Sequence, residues 1–336
     1  MQLVEFKKGY IVIKKIQKMS FLVVCICSLQ ISAFASGLPE EIPDMSDFNV
    51  VPNTNPNLSS IIRCTDSLQE GVVEYLKKIK SSLRESRLSV NPELNPSCIA
   101  VSQKGFMEWT TSFSPPAEAF GSCKSDGRIE RSTHPPCLTP EYSELVRLSV
   151  SLVGKCLGFE GRDLFPLIDQ ESGFFLNAVN SSGEDAGIAQ MTSIGLAEVN
   201  DYWPTFEVER IGNAACDALL AIEGVARPDL SKPHVCSSIA MPPSPMQNLL
   251  NMGLLLKANR RYVLDYIERD QIFKKMEQLG SSPLSQAQKE ALVTNFTLMA
   301  YNAGAPGVFE AVAKYLEFRH EEQKQNRGPL LTPQDF

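Results

Sequence analysis

The sequence predicts a mainly α fold that carries a small turn or hairpin element and a cysteine-containing N-terminal region. Three observations lead there. Beyond residue 139, apolar residues recur at i, i+3, i+4 spacing behind helix-start signals. A polar stretch at 177–190, with Gly183 and Gly187 inside it, interrupts that periodicity. Seven of the nine cysteines lie beyond residue 35, and four of those seven fall between positions 64 and 137.

The chain has 336 residues, 43% hydrophobic and 21% charged, enough for one large domain or two modest ones. Lys7, Lys8, Lys14, Lys15 and Lys18 precede the apolar run Phe21–Cys27, and Ala33-Phe34-Ala35 follows as a small-x-small site. Residues 1–35 are therefore expected to be an export signal cleaved after Ala35. The run is too short and too interrupted by Ser and Gln for a membrane span. Its five lysines against Glu5 mean that cleavage takes the net charge from −7 to −11. Such an acidic chain is a poor partner for nucleic acid. Export, to a periplasmic or extracellular location, makes disulfides the first expectation for the remaining cysteines. Cys156, inside an apolar helical stripe, is the one expected to stay unpaired as a small core residue.

Residues 36–60, rich in Pro, Asn, Asp and Ser, read as an extended leader. Ser67-Leu68-Gln69-Glu70 has the form of a capping box, and Val72, Val73, Leu76 and Ile79 give one amphipathic helix before Ser81. Residues 90–138 are turn-rich. Cys64, Cys98, Cys123 and Cys137 suggest a small module held by up to two bridges, so 36–138 is set apart as an N-terminal region with room for a docking role toward a protein partner. His134-Pro135-Pro136-Cys137 with Cys123 fits no standard zinc spacing. No metal or other cofactor is expected.

Thr139-Pro140-Glu141 is a strong helix start, with a cap, a proline at the first helical position and an acid at the positive end of the dipole. Leu145, Leu148, Leu152, Val153 and Cys156 form its buried stripe. After the 177–190 turn a helix is expected towards Val199. Trp203-Pro204, Cys216 with Cys236, and Pro242, Pro243 and Pro245 mark 201–246 as an excursion closed by its own disulfide. Helical periodicity returns from Gln247 to about Met276. Ser285 then caps a helix with Leu292, Phe296 and Met299 inward, ending at Ala300-Tyr301-Asn302-Ala303-Gly304. The main domain is expected to span 139–318, with 319–336 as a polar tail.

The most informative stretch is Leu164–Phe174. Leu164, Leu167, Ile168 and Glu171 follow i, i+3, i+4, i+7 spacing, so on a helix the acid continues a buried stripe. A carboxylate among apolar side chains has its charged form disfavoured, which suits a general acid near neutral pH. A boundary glutamate at a helix end fits the same spacing.

Three separated pieces resemble one family. Glu171-Ser172-Gly173-Phe174, then Gly187-Ile188-Ala189-Gln190, then Ala300-Tyr301-Asn302-Ala303-Gly304 look like the E-S-x-F, G-L-x-Q and A-Y-N-A-G signatures of soluble lytic transglycosylases, in the same order. Asn248 to Gly253 resembles the family's N-I-x-x-G helix with one extra residue. Gly183–Gly187 is one residue longer than the family's G-A-x-G-L turn, and Met191-Thr192 stands where Met-Pro is usual. The resemblance covers about Leu164 to Tyr315 and omits the excursion.

It implies a lysozyme-like α domain that binds peptidoglycan glycan strands. The implied reaction cleaves the β-1,4 bond between N-acetylmuramic acid and N-acetylglucosamine and leaves 1,6-anhydro ends. In this resemblance Glu171 is the catalytic acid and then base, and Ser172, Gly187, Gln190, Tyr301 and Asn302 bind or position the sugar. Four of these also have a plain structural reading: Ser172 as a cap or brace for the turn, Gln190 as a turn or cap residue, Tyr301 as a boundary residue and Asn302 as a helix ender. Two other functions share the sequence features. A lysozyme-type muramidase would use Glu184 or Asp185 to hold a water, and a wall-binding or assembly protein would keep the groove without chemistry. The sequence has no G-x-S-x-G elbow, no H-E-x-x-H helix and no G-x-G-x-x-G turn.

Overall fold

The computed structural model describes residues 66–90, 94–111, 119–124, 128–132, 139–180, 184–231, 234–239, 244–280, 282–325, 330 and 332. The expected export signal, the leader at 36–60, Cys64 and the His134–Cys137 run lie outside them. In chain order the elements are α1 (Asp66–Glu85), α2 (Pro96–Thr111), β1 (Phe120–Cys123), β2 (Ile129–Ser132), α3 (Pro140–Leu157) and α4 (Gly161–Ser172). After these come α5 (Ser193–Glu209), α6 (Ala214–Leu220), α7 (His234–Ile239), α8 (Ser244–Arg269), α9 (Ile272–Leu279) and α10 (Gln286–Lys324). The fold is mainly α. The strands β1 and β2 pair antiparallel, with Phe120 opposite Ser132 and Cys123 opposite Ile129.

The residues form two units, the described parts of Met1–Ser193 with Arg210–Leu250, and Ile194–Glu209 with the described parts of Asn251–Phe336. The first is built around α3. Thr139 caps it, accepting from the Tyr142 N–H with Pro140 in the first turn, and Gly158 ends it in the left-handed region. Leu145, Val146, Val150, Leu152 and Val153 are all wholly buried, so α3 is apolar on nearly every side. Helices α1, α2, α4 and α6 pack on it. The line expected at 138/139 therefore does not separate units. The apolar faces of α1 (Val72, Leu76, Ile79, Leu83) and α2 (Ile99) need a partner, and α3 supplies it.

Several expectations are corrected within this unit. Cys156 is not the unpaired thiol: it is bonded to Cys216 of α6, and Cys236 is bonded to Cys123 of β1 instead of closing an excursion with Cys216. Cys98 is disulfide-bonded as well. The stretch 90–138 contains the helix α2, whose buried row includes the polar Gln103, and that residue hides the apolar pattern. The excursion also holds helices α6 and α7. The side chain of Asn213 caps α6, accepting from the Ala215 and Cys216 N–H groups.

In the second unit, α5 runs ten residues past the expected stop at Val199, through Pro204 to Glu209. The apolar row Val199, Tyr202, Trp203, Phe206 is buried and continues across the proline, so burial outweighs the lost backbone bond. The helical periodicity expected from Gln247 to about Met276 is present as two helices: α8 ends at Arg269, and Gln271 takes a left-handed φ of 51° before α9. Ser285 caps α10 in a reciprocal capping box with Gln288. Leu292 and Phe296 are buried as expected, but Met299 is 49% exposed. The helix breaks at Gly304 (φ 66°, ψ 153°) and then resumes to Lys324. Residues 319–324 are thus helical and not tail, because Arg319 is buried there and the Gln323 amide donates to the Leu279 carbonyl. Val263, Ile267, Met276, Phe296, Phe309 and Leu316 belong to one core cluster, with Tyr266 stacked on Phe309.

Candidate functional site

Helix α4 carries Glu171 in its last turn. Leu164, Leu167 and Ile168 are buried on the same stripe, and Glu171 itself is half-buried, so the carboxylate stands at the margin of the core. The helix stops at Gly173, whose N–H closes on the Asp169 carbonyl at 3.0 Å with φ 55°. Position 173 admits no side chain, since a Cβ there would lie 2.5 Å from that of Phe106 on α2. Helix α2 also reaches α4 through the Ser102 hydroxyl, which donates to the Asp169 carboxylate. Burial raises the Asp169 carboxyl above its ordinary pKa, more than the Ser102 bond lowers it.

The chain leaving α4 is held by a group the sequence did not single out. The buried Tyr142 hydroxyl donates to the Phe174 carbonyl at 3.0 Å and accepts from the Leu176 N–H at 2.7 Å. It clamps Phe174, which sits at a φ of 64°. Phe175 is driven into a cluster with Phe106 and Phe120, its ring 5.0 Å from that of Phe120. The next residues join β1: Gly121 donates to the Asn177 carbonyl and Val179 to that of Ala119. Ala178 bridges Phe120, Val179 bridges Ala186, and Ala186 bridges Met191. The expected turn or hairpin at 177–190 is therefore present, and the N-terminal strands extend it.

Its far side is the Gly187–Gln190 turn. Gly187 has φ 81° and donates to the Ala178 carbonyl at 2.8 Å. The side-chain nitrogen of Gln190 donates to the Ala178 carbonyl at 2.9 Å and to the Gly187 carbonyl at 2.8 Å. Gln190 is itself left-handed, φ 46°. The buried Ser172 hydroxyl, next to Glu171, donates to the Ile188 carbonyl at 2.8 Å. That bond pins the end of α4 to the turn. Ser172 and Gln190 thus take the structural roles the sequence allowed them, as brace and turn builder, and they bring the Glu171 and Gly187 segments together. Two non-glycine residues with positive φ, Phe174 and Gln190, end these two segments. Strain of this kind persists only where surrounding contacts enforce it.

Beneath Gly187 lies α7. A Cβ at position 187 would sit 2.5 Å from the Ser238 carbonyl oxygen. That carbonyl accepts from the buried Asn248 amide at 2.9 Å. Asn248, visible in the sequence only as a weak motif position, is therefore a support of the turn.

The acids of the turn are organised by Asn180. Its side-chain oxygen accepts from the Glu184 and Asp185 N–H groups, its amide donates to the Asp185 carboxylate, and Arg131 donates to its carbonyl at 2.7 Å. Burial raises the Asp185 pKa and the Asn180 bond partly offsets it. Glu184 is exposed, and its carbonyl lies 2.6 Å from the His234 ring nitrogen Nε2.

Tyr301 and Asn302 lie in the second unit, in the last turn of α10 before the Gly304 break. Tyr301 is half-buried and Asn302 exposed. Among the described residues there is no group of His, Cys, Asp and Glu side chains that would hold a metal ion, and no helix long and apolar enough to cross a membrane. The disulfides are compatible with an oxidising, exported compartment. Compared with known proteins, the chain matches no family model, no curated protein and no solved structure.

Proposed function

We propose that the chain is a peptidoglycan lytic transglycosylase of lysozyme-like type, acting in the periplasm or outside the cell. The observation that carries the proposal is the Ser172–Ile188 hydrogen bond. It locks together two segments that resemble the E-S-x-F and G-L-x-Q signatures, and the half-buried Glu171 is the residue before the one that makes it. Tyr301 and Asn302 enter the proposal through the resemblance alone.

In this reading the protonated Glu171 carboxyl gives its proton to the glycosidic oxygen as the C1–O bond breaks. The leaving N-acetylglucosamine takes the bonding electrons, and positive charge develops at C1 of the N-acetylmuramic acid. The substrate's own N-acetyl carbonyl stabilises that centre. The Glu171 carboxylate then removes the proton of the C6 hydroxyl while its oxygen attacks C1, closing the 1,6-anhydro ring and restoring the acid. Gly187, whose side-chain face is filled by the Ser238 carbonyl, contributes by shaping the turn next to the end of α4. A sugar contact from Gln190 would come from its side-chain oxygen, since its nitrogen serves the turn.

The muramidase alternative needs a second carboxylate to hold water. Asp185 is half-buried and braced by Asn180, and Glu184 is exposed at the turn, which supports the water-free reaction over hydrolysis. Mass analysis of digested sacculi for anhydro ends tests the assignment. Parallel digestion with Glu171→Gln separates catalysis from wall binding.

A further inference from the structure

Two disulfides of the first unit, Cys156–Cys216 and Cys123–Cys236, differ in accessibility, and the more accessible of the two holds the support of the candidate site. Cys156 and Cys216 are buried, 6% and 0% exposed. Cys123, in contrast, is exposed at the end of β1, and Cys236 is half-buried on α7. Helix α7 has six residues, too short to persist without tertiary support. Its ties are few. Val235 and Ile239 pack on Val179, Ala186 and Ile129, the His234 ring meets the Glu184 carbonyl, the Ser238 carbonyl accepts from Asn248, and Cys236 makes the covalent bond. The turn leans on this helix at its tightest point, where Gly187 meets the Ser238 carbonyl.

We propose that Cys123–Cys236 is a redox latch on the Gly187–Gln190 turn. A dithiol reductant in the exported compartment opens it in two exchanges. A thiolate of the reductant attacks the exposed Cys123 sulfur, forming a mixed disulfide and releasing Cys236 as thiolate. The reductant's second thiolate then attacks its own sulfur in that mixed bond and releases Cys123. Two electrons and two protons pass to the protein, and the reductant leaves as its cyclic disulfide. With α7 held only by its noncovalent ties, the support under Gly187 loosens, and the turn beside Glu171 loosens with it. Reoxidation restores the turn. Cys156–Cys216, buried between α3 and α6, stays closed throughout.

The latch regulates the site of the proposed activity, but its test needs no substrate. Hydrogen exchange is followed on the full chain in three forms: oxidised, treated with a mild dithiol, and as the Cys123→Ser/Cys236→Ser double variant. Differential alkylation reports which cysteines are open. The latch predicts that Cys123 and Cys236 alkylate while Cys156 and Cys216 do not. It also predicts that amides of 186–191 exchange about tenfold faster or more while those of 145–153 in α3 keep their protection. Unchanged exchange at 186–191 after selective opening overturns the proposal. So does equal acceleration across the whole unit, or reduction of Cys156–Cys216 first. If the double variant does not fold, the reduced native protein gives the same readout. An absence of glycan cleavage in either redox state would count against the enzyme reading and leave the exchange result standing.

Discussion

The Ser172 hydroxyl donates to the Ile188 carbonyl at 2.8 Å across sixteen residues of chain, with a longer contact of 3.2 Å to Ile168 one turn back in its own helix. Both groups are buried, so this hydrogen bond cannot be exchanged for one with water. A single side chain thus ties the last turn of α4 directly to the Gly187–Gln190 turn.

Replacing it tests that role. Ser172→Ala removes the donor and strands a buried carbonyl, an effect worth about 1–3 kcal/mol in chemical denaturation. Glycan cleavage should fall further than the lost stability accounts for, because the two segments are no longer held in register. A variant of unchanged stability and activity would make the bond incidental.

Gly187→Ala and Gly212→Ala form a matched pair. Both glycines are left-handed, φ 81° and 79°, so alanine carries a similar backbone penalty of about 1–2 kcal/mol at each. Only at 187 does the new Cβ meet backbone, the Ser238 carbonyl at 2.5 Å, whereas at 212 there is nothing within 4 Å. Gly187→Ala should be the more destabilising by denaturant midpoint, and the excess measures how tightly α7 supports the turn. Equal losses would show that α7 yields freely.

Asp169 gives a pH prediction. Burial raises its carboxyl above 3.8, so the folded chain holds that proton more tightly than the unfolded one. Its contribution is therefore harmless at a pH below the unfolded value and becomes destabilising as pH rises through the folded value. Asp169→Asn keeps an acceptor for the Ser102 hydroxyl and removes the charge. Denaturation curves at stepped pH should show the variant gaining on the wild type as pH climbs from below 3.8, with no difference at the acid end. A variant weaker than wild type at neutral pH would contradict this.

Local signals were legible in the sequence, and long-range ones were not. The Thr139 and Ser285 caps lie within three residues of the groups they bind, so composition alone located them. The stripe Leu164, Leu167, Ile168 and the turn at 177–190 were equally readable. Disulfide pairing was not, because Cys156–Cys216 and Cys123–Cys236 join residues 60 and 113 apart, and only the packing of α6 on α3 and α7 on β1 brings them together. Trp203-Pro204 looked like a breaker because a proline's local cost is visible in sequence and the burial of Tyr202, Trp203 and Phe206 is not. Tyr142 was missed for the same reason: its hydroxyl acts 32 and 34 residues away. At the candidate site, Glu171 and Gly187 were found from local pattern, and the resemblance added Ser172 and Gln190. Their scaffolding role emerged only from the hydrogen bonds.

The central claim is that Glu171 is the acid and base of a water-free glycan cleavage, and product analysis of purified sacculi addresses it most directly. Wild-type digestion should release muropeptides ending in 1,6-anhydro-N-acetylmuramic acid. Glu171→Gln, with the shape kept and the proton removed, should lose about 2–4 orders of magnitude in rate. Reducing muramic acid ends alone, or full activity in the Gln variant, would contradict the account.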